Sequence, residues 1–153
     1  MITARRRLST LLLTTCALAL TACGSIPADS AGTLDRARGG TLVVGVSENE
    51  PWTDVDDHTG EVSGSESELI EGFADTIDAE VEWVPGSESV LAEQIKEGEL
   101  DVIIGGLTKK SPWTSHMALT RPYTNDNVMG VQMGENALQV ALERYLAEES
   151  GEI

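Results

Sequence analysis

The stretch that most constrains this chain runs from Gly98 to Tyr123, G-E-L-D-V-I-I-G-G-L-T-K-K-S-P-W-T-S-H-M-A-L-T-R-P-Y. Asp101 to Gly105 is a short apolar run rich in β-branched residues, which is the pattern of a strand buried on both faces. It opens into Gly105-Gly106-Leu107-Thr108, where two glycines let backbone N–H groups approach a ligand closely and Thr108 adds a hydroxyl. Ser111-Pro112 has the form of the N-cap and first position of a short helix. Strand end, glycine turn, hydroxyl and helix start together describe a ligand-facing edge of an α/β sheet. An ordinary strand-to-helix turn would use the same residues.

The flanking segments repeat the alternation. Thr41–Val46 (T-L-V-V-G-V) is a second all-apolar strand, followed by a loop that sets Trp52 beside Pro51. Asp54 to Gly64 is polar with glycines and reads as a turn or small hairpin. Ser65 to Asp78 is a helix with Leu69, Ile70, Phe73 and Ile77 on one face and Glu66, Glu68, Glu71 and Asp75 mostly outward. Glu80–Val84 is a strand stopped by Pro85-Gly86, and Ser87 or Ser89 caps a helix through Leu91 and Ile95 to Gly98. The order β-α-β-α-β calls for parallel strands joined by right-handed crossovers. After Tyr123 a polar turn, Thr124–Asn127, leads to a strand at Val128–Met133. That turn is too short for a parallel crossover, so the strand is expected to add antiparallel. A helix from Ala137 to Glu149 then covers one face with Leu138, Leu142 and Leu146.

The first 22 residues read as a signal rather than as fold. Arg5-Arg6-Arg7 is a basic n-region, and Leu8 to Leu20 is an apolar h-region too short for an ordinary membrane span. The segment ends in Leu20-Thr21-Ala22-Cys23, which resembles a bacterial lipoprotein signal, with Cys23 as the residue that takes the diacylglyceryl group and palmitate-type acyl chains. The remaining cysteine, Cys16, leaves with the leader, so the mature chain has no intramolecular disulfide and no cysteine metal site. Residues 23–39, rich in Ser, Ala, Gly and Pro, read as a tether, and 40–153 as one domain on the extracytoplasmic face of the membrane.

Charge narrows the partners. The chain carries a formal −16, and loss of the three leader arginines takes it to −19. Nucleic acid is excluded as a partner, because phosphate binding needs clustered Lys and Arg. Asp54, Asp56, Asp57 and His58 invite a metal, but Thr59 and Ser65 stand where a calcium loop needs its glycine and last glutamate. A solvated acidic turn is the reading kept, with no metal and no other cofactor. No nucleophile elbow or phosphate loop occurs, and His58 and His116 have no triad partners by spacing, so no catalytic residue is assigned.

Seven short pieces in order carry a family resemblance: G-T-L-V-V-G-V with Pro51-Trp52, the Gly60/Gly64 turn, S-E-S-E-L-I-E-G-F-A, V-E-W-V-P, the helix into G-E-L-D-V-I-I-G-G-L-T, L-T-R-P-Y, and the tail G-E-N-A-L-Q-V-A-L-E-R-Y-L. The pieces from Thr41 to Tyr123 resemble the first lobe of the family 3 solute-binding proteins, extracytoplasmic receptors of ABC importers for amino acids and similar solutes. The tail resembles the segment with which such proteins return to that lobe and close with a helix. The resemblance implies a single periplasmic-binding-protein-like lobe, a small-molecule solute, no enzymatic activity, and an ABC permease or a lobe-supplying chain as partner. In the family a second lobe follows the Pro-Tyr motif; here about four residues stand in its place, so one jaw of the binding cleft is missing.

Carried over position by position, the resemblance implies ligand contacts from Ser47, Trp52, Glu88, Gly106 and Thr108. Trp113 falls five residues beyond Thr108, where amino-acid-binding members place a carboxylate-holding arginine. Tryptophan cannot make the paired charge-assisted bonds of a guanidinium. The expected solute is therefore neutral or cationic, stacked on Trp52 or Trp113. Two other readings remain open: an interaction or sensor module built on one lobe, and an internally deleted product with little activity.

Overall fold

The computed structural model describes residues 29–151, so the leader and Cys23 lie outside the described residues. The helix α1 spans Thr33–Ala37. The strands are β1 Thr41–Val46, β2 Asp54–Val55, β3 Val62–Ser63, β4 Glu80–Pro85, β5 Val102–Ile104, β6 Met117–Leu119 and β7 Gly130–Gln132. Three longer helices follow the alternation, α2 Ser65–Thr76, α3 Glu88–Glu97 and α4 Asn136–Ser150.

One five-stranded sheet has the order β4-β1-β5-β7-β6, and β2 and β3 form a separate antiparallel hairpin. β1 is parallel to both β4 and β5, in register from Thr41↔Glu80 and Val44↔Val102. β7 pairs antiparallel with β5 and with the edge strand β6, which precedes it in the chain. Period-two alternation in the central strands feeds two cores. Leu42, Val44, Val46, Val102 and Ile104 face a layer of α1, α2 and α4, where Phe73, Ile70, Leu138, Leu142 and Leu146 are buried. Val43 and Ile103 face the other way, onto Leu91 and Ile95 of α3 and Met117 of β6. The fold is thus a single α/β lobe with a mixed sheet covered on both faces.

Three sequence expectations change. Ser111-Pro112 does not start a helix: residues 112–116 are turns, and the chain enters the edge strand β6 at Met117. Ser111 Oγ does accept Trp113 N–H, at 3.4 Å, as an N-cap would, but no helix is propagated from it. His116 and Met117 N–H both reach the Trp113 carbonyl, at 2.8 and 3.2 Å, so a single turn forms, but Met117 is buried in the second core and continues extended as β6.

Second, residues 29–39 are not a free tether. Leu34 and Ala37 of α1 are buried in the first core, and Arg36 reaches Asp101 at 2.5 Å and the Thr41 carbonyl at 3.1 Å. Third, Glu66 of α2 points inward and is fully buried rather than facing solvent.

Candidate functional site

The C-terminal ends of β1, β4 and β5 lie side by side, because parallel strands bring all their outgoing loops to one edge. Ser47 leaves β1 with its N–H on the Ile104 carbonyl at 2.9 Å. The loop Ser47–Thr53 is shaped from inside by Thr53, whose hydroxyl donates to the Ser47 carbonyl at 2.6 Å and accepts Asn49 N–H at 3.1 Å. Asn49 Nδ2 then donates to the Gly105 carbonyl at 2.9 Å, docking this loop on the turn after β5.

The turn has to be glycine. Gly105 and Gly106 have φ +147° and +67°, and a Cβ on Gly106 would lie 2.6 Å from Asn49 Nδ2 and 2.7 Å from the Trp52 ring. Trp52 therefore lies against the Gly106 backbone, half-buried.

Glu66 holds this turn from below. Its Oε2 accepts Gly105 N–H at 2.7 Å and Gly106 N–H at 3.0 Å, and its Oε1 accepts the Tyr123 hydroxyl. Burial pushes the Glu66 carboxyl above the usual range, against the opposing pull of Tyr123 and the two amides. Burial also raises the Tyr123 phenol, with the adjacent Glu66 carboxylate adding to the effect. The Gly106 amide expected to meet a ligand thus already has a protein acceptor. Sequence reading missed Glu66 because a helical wheel centred on Leu69, Ile70 and Phe73 gives its neighbours an outward face. The signal that could have found it is the pairing of a glutamate two residues after Gly64 with a Pro-Tyr segment.

A second group closes the other side of the edge. Trp113 Nε1 donates to Glu88 Oε2 at 3.0 Å, the Trp113 ring meets His116 edge-on with centroids 5.7 Å apart, and His116 Nε2 lies 3.0 Å from Glu93 Oε1. Trp113 also packs on the second core. Ser47 and Glu88 share an open groove of about 530 Å³, lined besides by Glu48, Asp57, Val55 and the Pro85–Ser87 turn. Three carboxylates and no Lys or Arg line it.

Of the expected contact residues, Ser47 with Glu88, Trp52 with Gly106, and Glu88 with Trp113 are brought together pairwise along one edge. Thr108 is exposed two residues beyond Gly106, bridged to Asn127. The acidic turn is organised by its own backbone: Asp56 Oδ1 accepts the N–H groups of His58 and Thr59 at 2.8 and 2.7 Å.

A parallel core whose outgoing loops build one open edge is a periplasmic-binding-protein-like lobe. The chain belongs to the bacterial extracellular solute-binding proteins, family 3, whose family model matches residues 42–145. Among solved structures it is similar to a point mutant of the arginine-bound form of domain 1 from TmArgBP, at 23% identity and TM-score 0.69. That match covers 77% of this chain and 98% of that one. It is also similar to an ancestral cationic amino acid solute-binding protein, AncCDT-1, at 26% identity and TM-score 0.54, with 60% and 41% covered. The L-cystine solute receptor of Neisseria gonorrhoeae, in its unliganded open conformation, matches at 23% identity and TM-score 0.51, with 60% and 40% covered. The chain therefore spans nearly all of the matched domain 1 and about two fifths of the length of the two receptors. Comparison with curated proteins gives no match.

Proposed function

We propose that this chain is a lipid-anchored, extracytoplasmic solute-binding lobe that serves an ABC importer and takes a small neutral or cationic solute. The observation that carries the solute class is the groove at the strand ends, where Glu48, Asp57 and Glu88 face a space lined by no basic side chain. Carboxylates gathered on one groove with no basic side chain beside them favour a cation and disfavour a free anionic group. The residues proposed to meet the solute are Ser47, Trp52, Glu88, Thr108 and Trp113. Gly106 contributes by letting Trp52 lie close rather than by donating its N–H, which Glu66 holds. The arrangement supports binding, and no group in it is assigned a catalytic step.

Two likenesses support the reading. The AncCDT-1 relative is described as a cationic amino acid binder. The TmArgBP relative is an isolated domain 1 in arginine-bound form, so in that protein one lobe holds ligand without the other. For this chain an open face implies weaker binding than an enclosed cleft, unless a partner chain supplies the opposing wall. Among the described residues no helix is long and apolar enough to cross a membrane. Membrane attachment is assigned to acylated Cys23, since two or more chains hold a protein stably where one does not.

Calorimetry on the chain from Gly24 onward tests the solute class. Arginine and arginine amide should bind alike, and glutamate should not bind. Binding of arginine that vanishes on amidation would show a carboxylate clamp, and the reading would fall. Cys23→Ser should leave the membrane fraction or keep its leader.

A further inference from the structure

The segment before β1 is clasped to the start of α4 by two carboxylates acting in opposite directions. Asp29 Oδ1 accepts the N–H groups of Ala137 and Leu138 at 2.5 and 3.0 Å, and its Oδ2 accepts Leu34 N–H at 2.8 Å. Glu135, buried, accepts Ala31 N–H and Ser30 Oγ at 2.8 Å each and Thr33 N–H at 3.1 Å. Each carboxylate therefore caps the helix start of the other's segment, where N–H groups have no partner inside the helix. Ser30 N–H adds a bond to the Gly134 carbonyl at 3.1 Å.

The clasp has a definite place. β7 runs antiparallel to β5, with Val102 opposite Val131 and Ile103 opposite Gly130, so Gly134 and Glu135 emerge at the N-terminal end of the parallel strands. The groove and the glycine turn lie at their C-terminal end. The chain is thus fastened at the end of the sheet opposite the candidate site.

We propose that this clasp fixes the orientation of the anchored lobe, holding the candidate site away from the lobe's own membrane. The proposal rests on anchoring through Cys23. Between Cys23 and Asp29 there are six residue steps, which reach at most about 20 Å when fully extended. A lobe of this size is about 35 Å across, taking the radius of gyration of a compact domain as roughly 13 Å. Turning the site onto the bilayer lifts Asp29 by about that diameter, which the tether does not span. Freed to Thr41, the same tether has eighteen steps and reaches about 60 Å. The clasp therefore decides which face meets the membrane: closed, the site samples solute or a partner on the far side; open, the site reaches a membrane-embedded partner.

The test uses the full lipoprotein purified from membranes and reconstituted in vesicles carrying an acceptor-labelled lipid. With Cys23 acylated, a dye is placed on Glu99→Cys, exposed just before β5, or on Lys110→Cys, exposed just after it. Energy transfer should be at least twofold stronger from the first position. Ten Gly/Ser residues inserted between Ala28 and Asp29, which leave the clasp and the fold untouched, should bring the two efficiencies together, as should Asp29→Ala with Glu135→Ala. Equal transfer with the parental tether, or a difference that survives the insertion, overturns the orientation proposal. A protein that does not enter vesicles at all refutes the anchoring reading itself, and the proposal with it.

Discussion

Removing the Glu66 carboxylate should damage the lobe more than any exposed acid, and by an amount the contacts define. Glu66→Ala strands the amides of Gly105 and Gly106 and the Tyr123 hydroxyl around a small cavity. A buried polar group left without its partner costs about 1–3 kcal/mol. Water entering the cavity recovers part of this, so the loss is set at roughly 3–5 kcal/mol, or about 10–20 °C in Tm for a domain of this size. Glu66→Gln has a carbonyl oxygen for both amides and an NH₂ group that can donate to Tyr123, so it should cost only about 1 kcal/mol. Tyr123→Phe removes one of the three bonds and should couple strongly to Glu66→Gln in a double-mutant cycle, because the two share a contact.

The pH dependence adds a sign. Burial raises the folded-state pKa of Glu66, so its contribution is fully present below the ordinary glutamate value and is lost as pH rises through the raised one. Glutamine does not titrate. The stability of the parent relative to Glu66→Gln should therefore fall as pH rises across that window. Urea denaturation of the chain from Gly24, followed by circular dichroism between acid and neutral pH, measures all of these. A Glu66→Ala variant within 1 kcal/mol of the parent would sink the argument that this carboxylate holds the turn.

The remaining predictions concern the glycine turn and the clasp. Gly106→Ala combines a positive φ with a collision against Trp52 and should cost about 2 kcal/mol, whereas Gly60→Ala, at φ +73° with open space around it, should cost about 1 kcal/mol; equal losses in thermal melts would show that the Trp52 contact is not tight. At Glu135 burial pushes the carboxyl up, but bonds from Ala31, Ser30 and Thr33 outweigh it and hold it below the usual range. Its stabilisation is thus present above the ordinary glutamate value and lost as pH falls through the lowered one. Acid should therefore narrow the stability gap between the parent and Glu135→Gln, and a gap that widens in acid contradicts the clasp chemistry.

The two central strands, β1 and β5, were legible because they are written as apolar runs, T-L-V-V-G-V and D-V-I-I-G, the pattern of burial on both faces, while β4 was legible from its alternation, E-V-E-W-V. The antiparallel direction of the last strand was expected from the polar turn before it, but the strand that turn returns from, β6, was not read, and it is β6 that lies antiparallel beside β7. The three-residue β6 was not legible: M-A-L is too short for periodicity, and Ser111-Pro112 imitates a helix start. The α1 segment was hidden by composition. Its two anchoring apolar residues, Leu34 and Ala37, sit among Ser, Gly, Asp and Arg, and the carboxylate that meets its first N–H, Glu135, lies 102 residues from Thr33. Of the candidate site, the residue types at the strand ends were readable, but their mutual bonds were not. That the Gly106 backbone N–H is held by Glu66, and the Trp113 indole N–H by Glu88, depends on which way side chains turn, and spacing carries no record of that.

The short turn in place of a second lobe is built into the candidate site rather than hanging from it. Thr124 Oγ1 donates to Asn127 Oδ1 at 2.7 Å and accepts Asn127 N–H at 3.2 Å, so the turn is closed by its own side chains. On one side Tyr123 N–H donates to the Asn127 carbonyl at 3.1 Å while the Tyr123 hydroxyl is seated on Glu66. On the other, Lys109 N–H donates to the Asp126 carbonyl at 3.1 Å and Val128 N–H to the Leu107 carbonyl at 2.9 Å. The residues that replace the missing jaw thus hold the loop carrying Gly106 and Thr108 from two directions. Loops whose backbone bonds go to water are the ones that open first; here those bonds go to the turn. The candidate edge is thus tied down within the lobe itself, and under the proposed function what the lobe lacks is enclosure of the solute rather than shape.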